Sequence, residues 1–274
     1  MAYLEIPELT VTQKQQMKAL IDGYFAHKNI FKYHSTNRRE SYAYTTILSD
    51  TSTSVKGCMN ASGKYLLNCG VFAQMVWMGR KIEDFTDHTS KPSTTITKAF
   101  DWGYYFDFLG AKYAYKVTKA DGSYYTSNTY TSASGSTIFI TFDNASAMAD
   151  ELHRKGYEIP YGQADVGDLV FYRSNSDADG DNDNLEATNF RSINHVGVVY
   201  EVNSDGTLTI IECSTAYSGT PIGKCWLTAA NGEGNFNLMR GSHVNYRVAM
   251  CARHPAAYGD GGNVPVKFTT YRRA

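Results

Sequence analysis

Residues 10–26, TVTQKQQMKALIDGYFA, place Met17, Leu20, Ile21 and Phe25 on one face at helical spacing, with Thr12 as the expected N-cap. A polar stretch rich in Ser, Thr and Tyr follows to about residue 60. The run LNCGVFAQMVWMGR then predicts a helix from about Cys69 to about Gly79. Val71, Phe72, Met75, Val76 and Met78 cover most of its circumference, the pattern of a helix buried on all sides. Residues 144–156 predict a third helix: Asn144 as cap, Met148 and Leu152 one turn apart, and Gly156 as the stop. Beyond it the period changes. GDLVFYR (167–173), NHVGVVYEV (194–202), TLTIIEC (207–213) and NYRVAMCAR (245–253) read as strands. A helix-rich front and a strand-rich back predict an α+β protein with a central antiparallel sheet, one domain over residues 1–274. Residues 1–60 would be a helical and loop extension. Residues 100–145, dense in Tyr, Ser and Gly, would be an insertion with hairpins, such as one at Asp121-Gly122. That insertion reads either as solvated surface or as an aromatic wall for sugar or peptide.

With 42% hydrophobic residues the chain can bury one sizeable core. Its net charge of −1 and lack of a Lys/Arg stripe argue against nucleic acid as a partner. No apolar stretch approaches the roughly 18 residues of a membrane span, so no membrane partner is expected. The five cysteines, at 58, 69, 213, 225 and 251, include no C-x-x-C pair, so buried free thiols are the expectation for all but one.

The exception is Cys69. A thiol in the first turn of a helix lies beside free backbone N–H groups and the positive end of the helix dipole, which favour thiolate and can hold an oxyanion. Gly70 lets a substrate carbonyl approach, and Asn68 precedes the thiol. A base comes from the hairpin NHVGVVYEVNSDGTLTIIECS. With a four-residue loop at 203–206, Val202 opposes Thr207, Gly197 opposes Glu212 and His195 opposes Ser214. His195 and Glu212 then share a face one diagonal step apart, about 7–8 Å between backbones. A slip of one residue would separate them. Cys69 as nucleophile, His195 as base and Glu212 as its orienter make a catalytic set, with Ser214 a second candidate orienter.

LNCGVFAQMVW, VGDLVFYR, NHVGVVYEVNSDGTLTIIECS and the closing RVAMCARHP together resemble the NlpC/P60- and CHAP-type cysteine peptidases or amidases. The resemblance implies a papain-like fold, with the sheet packed on the helix that carries the Cys. It also implies hydrolysis of peptide or amide bonds in peptidoglycan, by an endopeptidase or an N-acetylmuramoyl-L-alanine amidase. Peptidoglycan stem peptides would be the partner, bound near Asn68, Gly70 and Ser214, with no cofactor for the reaction itself. Asn68-Cys69-Gly70-Val71 stands where NlpC/P60 enzymes carry Asp-Cys-Ser-Gly, and Glu212 is closer to the CHAP branch. The Gly167-Asp168 pair would make the turn into its strand. The N-terminal residues show no basic stretch followed by an apolar one, so synthesis in the cytoplasm and action at the wall are expected. A phage-encoded protein associated with other virion proteins fits that route. The competing reading is a catalytically silent structural or wall-binding virion or tail protein of the same fold.

NSDADGDNDNLE, residues 175–186, fits the calcium-loop pattern: Asn175, Asp177 and Asp179 at positions 1, 3 and 5, Gly180 at 6, Asp181 at 7, Asp183 at 9 and Glu186 at 12. A structural calcium ion bracing the approach to His195 and a solvated acidic loop are both open readings.

Overall fold

The computed structural model describes residues 6–33, 59–83, 93, 95–106, 117–118, 124–125, 129–131, 137–139, 144–174, 193–228, 237–241 and 243–259. Helix α1 (Val11–Ala26) starts two residues earlier than a cap at Thr12 would place it. Thr10, not Thr12, is its cap: Thr10 Oγ1 accepts from the Gln13 amide and Gln13 Oε1 accepts from the Thr10 amide, a reciprocal capping box. Its buried face is Met17, Leu20, Ile21 and Tyr24. Phe25, expected there, instead lies partly exposed beneath the ammonium groups of Lys28 and Lys224. Helix α2 (Cys69–Trp77) is buried at every position, as an apolar run without a polar face requires. Gly79, with φ of 68°, ends it in the left-handed region. Helix α3 is Asn144–Arg154; Met148 and Leu152 are buried in it and Gly156 follows at φ 81°.

Four short strand pairs flank the core. Strand β1 (Phe31–Tyr33) runs parallel to β2 (Tyr65–Leu67), and β3 (Arg80–Ile82) antiparallel to β4 (Ile96–Lys98). Within the Tyr-rich segment β5 (Val117–Thr118) pairs β6 (Tyr124–Tyr125), and β7 (Thr129–Thr131) pairs β8 (Thr137–Phe139); the expected turn at Asp121-Gly122 lies outside the described residues.

The main sheet is antiparallel throughout. It comprises β9 (Glu158–Ile159), β10 (Leu169–Ser174), β11 (Ile193–Val202), β12 (Leu208–Cys213), β13 (Ile222–Leu227), β14 (Asn237–Arg240) and β15 (His243–Ala252). Because β15 also pairs with β10, strands β10 to β15 close into a ring, with β9 added on β15. Closure needs bending, and register shifts interrupt the β10–β11, β10–β15, β11–β12 and β14–β15 ladders. The sequence predicted four of these seven strands but missed β9, β13 and β14, and without the last two the sheet stays open.

Side chains alternate between two cores, as strand geometry dictates. Val170, Tyr172, Val199, Leu208, Ile210, Cys225, Leu227, Leu238 and Cys251, drawn from all six ring strands, form one cluster and fill the ring. Leu169, Phe171, Val196, Val198, Ile211, Cys213 and Ile222 belong to the other, with α1, α2 and α3. Two hydrogen bonds tie the end of α2 to the sheet side: Trp77 Nε1 donates to the Gly167 carbonyl at 2.7 Å, and His254 Nε2 meets the Trp77 carbonyl at 3.0 Å. Gly167, at φ 92°, makes the turn into β10. The buried Asp168 closes that turn through Oδ2, which accepts from the Asp165 amide. Its Oδ1 lies 3.0 Å from Arg253 Nε, an ion pair in distance that lacks hydrogen-bond alignment. Among the described residues no helix is long and apolar enough to cross a membrane.

Candidate active site

Asn68 sets the position of the thiol. Its Oδ1 accepts from the Val71 amide at 2.8 Å and so fixes the first turn of α2, whose first residue is Cys69. Asn68 was expected to meet substrate; its side-chain oxygen is committed to this cap, and Nδ2 is buried without a partner. The first amides of a helix have no partner inside it, and Asn68 takes only that of Val71, which leaves the Cys69 and Gly70 amides beside the sulfur. The Gly70 carbonyl accepts from Gln74 Nε2. Cys69 is 4% exposed, and its Sγ lies 3.9 Å from the carbonyl of Asn194, the residue before His195.

The β11–β12 ladder pairs Gly197 with Glu212, the register anticipated for the functional end. The hairpin end differs. Val202 opposes Leu208, not Thr207, so the loop holds five residues and the pairing there is one residue out. A bulge between Val199 and Glu201 absorbs the extra residue and restores the pairing before Gly197. His195 Nε2 and Glu212 Oε2 are hydrogen-bonded. That contact leaves Nδ1 as the imidazole nitrogen that Glu212 does not engage, and Cys69 acts on His195 through its charge. Ser214, the other candidate orienter, is engaged elsewhere: its Oγ accepts from the Ala216 amide and its own amide donates to the Pro221 carbonyl.

Glu212 is fully buried, and a carboxylate there needs donors on both oxygens. It has four. Oε1 accepts from Arg240 Nε at 2.5 Å and Tyr217 Oη at 2.7 Å; Oε2 accepts from His195 Nε2 and from Arg240 Nη2 at 2.8 Å. Two glycines make room. Gly223, the β13 partner of Glu212, leaves the space in which the Tyr217 ring lies; a Cβ there would sit 2.3 Å from that ring. Gly197, its β11 partner, would place a Cβ 2.4 Å from Ile210 Cγ2. Tyr246 stacks on the His195 ring with centroids 5.1 Å apart and planes at 15°, and Tyr172 stands 5.9 Å away.

Burial alone would lower the His195 pKa; the Glu212 carboxylate and Cys69 overcome it and push it up to about 10. Burial alone would raise Glu212; His195 and then Arg240 overcome it and bring the carboxyl down to about 2. Burial pushes the Tyr217 hydroxyl up, which keeps it a donor to Glu212. Cys213, Cys225 and Cys251 are buried free thiols whose pKa values burial pushes up, whereas Cys58 lies outside the described residues.

Arg240, Tyr217, Tyr246 and Tyr172 were not anticipated. One signal was present: a carboxylate after the apolar run TLTII has more acceptor capacity than a single imidazole can fill, so a cation had to come from elsewhere. The acidic stretch with Asn175, Asp177, Asp179, Asp181, Asp183 and Glu186 lies outside the described residues. Among the described residues no group of three or more His, Cys, Asp or Glu is placed to hold a metal ion.

No curated protein and no solved structure matches the chain. The family model of the CHAP domain matches residues 59–214, from just before α2 to just past β12, and takes in Cys69, His195 and Glu212. CHAP domains are generally amidases or peptidases of peptidoglycan, and with more than half of its length matched this chain belongs to the CHAP domain family.

Proposed function

We propose that the protein hydrolyses peptide or amide bonds of peptidoglycan, with Cys69 as nucleophile, His195 as general base and acid, and Glu212 as the group that orients His195, in a papain-like arrangement. The observation that carries this reading is a convergence: the thiol of the first residue of α2 lies against the carbonyl of Asn194, the residue before His195, and the His195 imidazole is hydrogen-bonded to a fully buried carboxylate. In the reaction His195 Nδ1 takes the thiol proton and Cys69 Sγ attacks the carbonyl carbon. The Cys69 and Gly70 amides face the oxyanion of the tetrahedral intermediate. Collapse breaks the C–N bond, and His195 gives its proton to the leaving amine. Water then attacks the thioester, again through His195, and releases the acid and the thiol.

One observation favours the silent, wall-binding reading: Cys69 and His195 are only 4% and 5% exposed. A single comparison separates the two. Purified protein is incubated with peptidoglycan and with muropeptides, and new amines and cleaved stems are read by mass spectrometry. Hydrolysis that disappears in Cys69→Ala, while the melting temperature stays within a few degrees, is the expected result. Absence of products from the wild type, together with failure of iodoacetamide to modify Cys69 in the folded protein, would leave the silent reading standing.

A further inference from the structure

The matched family segment ends at residue 214, but the surroundings of Glu212 are completed by later residues. Arg240 is the last residue of β14, a strand present in the ring because the sheet closes. Its guanidinium makes two parallel hydrogen bonds to the two Glu212 oxygens, Nε to Oε1 at 2.5 Å and Nη2 to Oε2 at 2.8 Å. Nη2 also lies 3.2 Å from His195 Nε2. Both of those nitrogens are donors when His195 is protonated, so the shared Glu212 Oε2 holds them together. The cation sits over the Tyr246 ring, 5.0 Å from its centroid, and Tyr246 stacks on His195. Arg240 therefore reaches the imidazole by two routes, through the carboxylate and through the aromatic ring.

Charge counting gives these contacts a purpose. The groups facing His195 and Glu212 are Cys69 from α2, Tyr172 from β10, Tyr217 from the loop after β12, Cys225 from β13, Arg240 from β14 and Tyr246 from β15, with Cys213 next to Glu212 on its own strand. Cys69 and His195 share one proton and together are neutral whichever holds it. Glu212 adds one negative charge and is itself fully buried. Arg240 is the one cation among these described groups that cancels it, and its side chain is itself 11% exposed. An unbalanced buried carboxylate would either take up a proton or hold the imidazolium too tightly to release its own.

We propose that Arg240 is a positioning residue of this site: its bidentate grip on Glu212 neutralises the carboxylate and fixes the orientation in which Glu212 presents itself to His195. The inference rests on the hydrolase reading above. Losing Arg240 acts on both ionisations in the same direction. Without the neighbouring cation Glu212 protonates at higher pH, and His195 keeps its proton to higher pH.

The test uses Arg240→Ala and Arg240→Lys in the full chain, with kcat, KM and Cys69 alkylation by iodoacetamide each followed against pH. Arg240→Ala is expected to lose about 10- to 100-fold in kcat with KM changed less than about threefold. Its whole pH profile should move to higher pH, and millimolar guanidinium should restore part of the rate. Arg240→Lys keeps the charge but not the two-pronged geometry, so its profile should stay in place while kcat falls. A role in stability alone lowers the melting temperature of both variants and moves neither pH profile; that result, or a kcat within about twofold of wild type, overturns the proposal. Should the wild type release no fragments, it is the hydrolase reading that fails. The alkylation profile then judges Arg240 by itself: a shift in Arg240→Ala upholds the positioning role, and an unchanged profile removes it.

Discussion

Glu212→Gln keeps the shape of the side chain and removes its charge, and the surroundings of Glu212 allow its cost to be worked out. Four donors converge on the carboxylate: His195 Nε2, Arg240 Nε, Arg240 Nη2 and Tyr217 Oη. A glutamine oxygen can accept two of them, and its amide group turns donors toward the other two. Each buried donor left without an acceptor costs about 1–3 kcal/mol. Breaking a buried ion pair by removing one partner costs about 3–5 kcal/mol in total, since the Arg240 cation stays behind. For a chain of this size that corresponds to a fall in Tm of roughly 6–20 °C. The pH dependence identifies the cause. Glu212 lies at about 2 in the folded protein against an ordinary 4.5, so its contribution is present above pH 4.5 and is lost as pH falls toward 2. His195 lies at about 10 against 6.5, so its contribution is full below pH 6.5 and is lost as pH rises through 10. The gap in Tm between wild type and Glu212→Gln should therefore be widest between pH 4.5 and 6.5 and narrow on both sides. Scanning fluorimetry across that range measures it. A gap below about 3 °C, or one equally wide near pH 10, would refute the reasoning.

Gly223→Ala drives a methyl group into the Tyr217 ring and takes one donor from Glu212. In urea unfolding it should cost more than Tyr217→Phe, which loses only the hydroxyl and about 1.5–3 kcal/mol, because overpacking adds about 1–3 kcal/mol; equal stability of Gly223→Ala and wild type would contradict the packing described. Should residues 175–186 bind calcium, the ion at about 100-fold over its Kd adds about 2.7 kcal/mol. That raises Tm by roughly 5–10 °C, EDTA reverses it, and Asp179→Asn combined with Glu186→Gln removes it. A Tm indifferent to both calcium and EDTA assigns that stretch to solvent.

The parts of the molecule legible from sequence are those in which one periodic signal acts alone. The apolar circumference of α2 and the alternation in β10, β11 and β12 needed no tertiary information. The pairing of Gly197 with Glu212 followed from parity, yet the loop length assumed for it was one residue short. The bulge at Tyr200 supplied the difference, and nothing in VVYEV announces a bulge. The cap of α1 moved from Thr12 to Thr10 because Gln13 stands three residues after Thr10 and completes a reciprocal pair. Tyr24 displaced Phe25 from the core because its hydroxyl finds the buried Arg80 carbonyl at 2.6 Å, a partner no local pattern reveals. Arg240 was invisible for a related reason. It lies 28 residues beyond Glu212, on a short strand, and only closure of the sheet brings the two together.

The packing of Tyr246 and Tyr172 about His195 carries a kinetic consequence. An imidazole held flat against one phenol ring and anchored at Nε2 is not free to rotate and exchange its two nitrogens. In the cycle proposed above, one nitrogen, Nδ1, then serves both halves, first handing a proton to the departing amine and later drawing one from water. The two visitors need the same place at different times, so the first product has to vacate before the second reactant can enter. Turnover built on such a ring is strictly ordered, and added amine should compete with water for the acylated thiol.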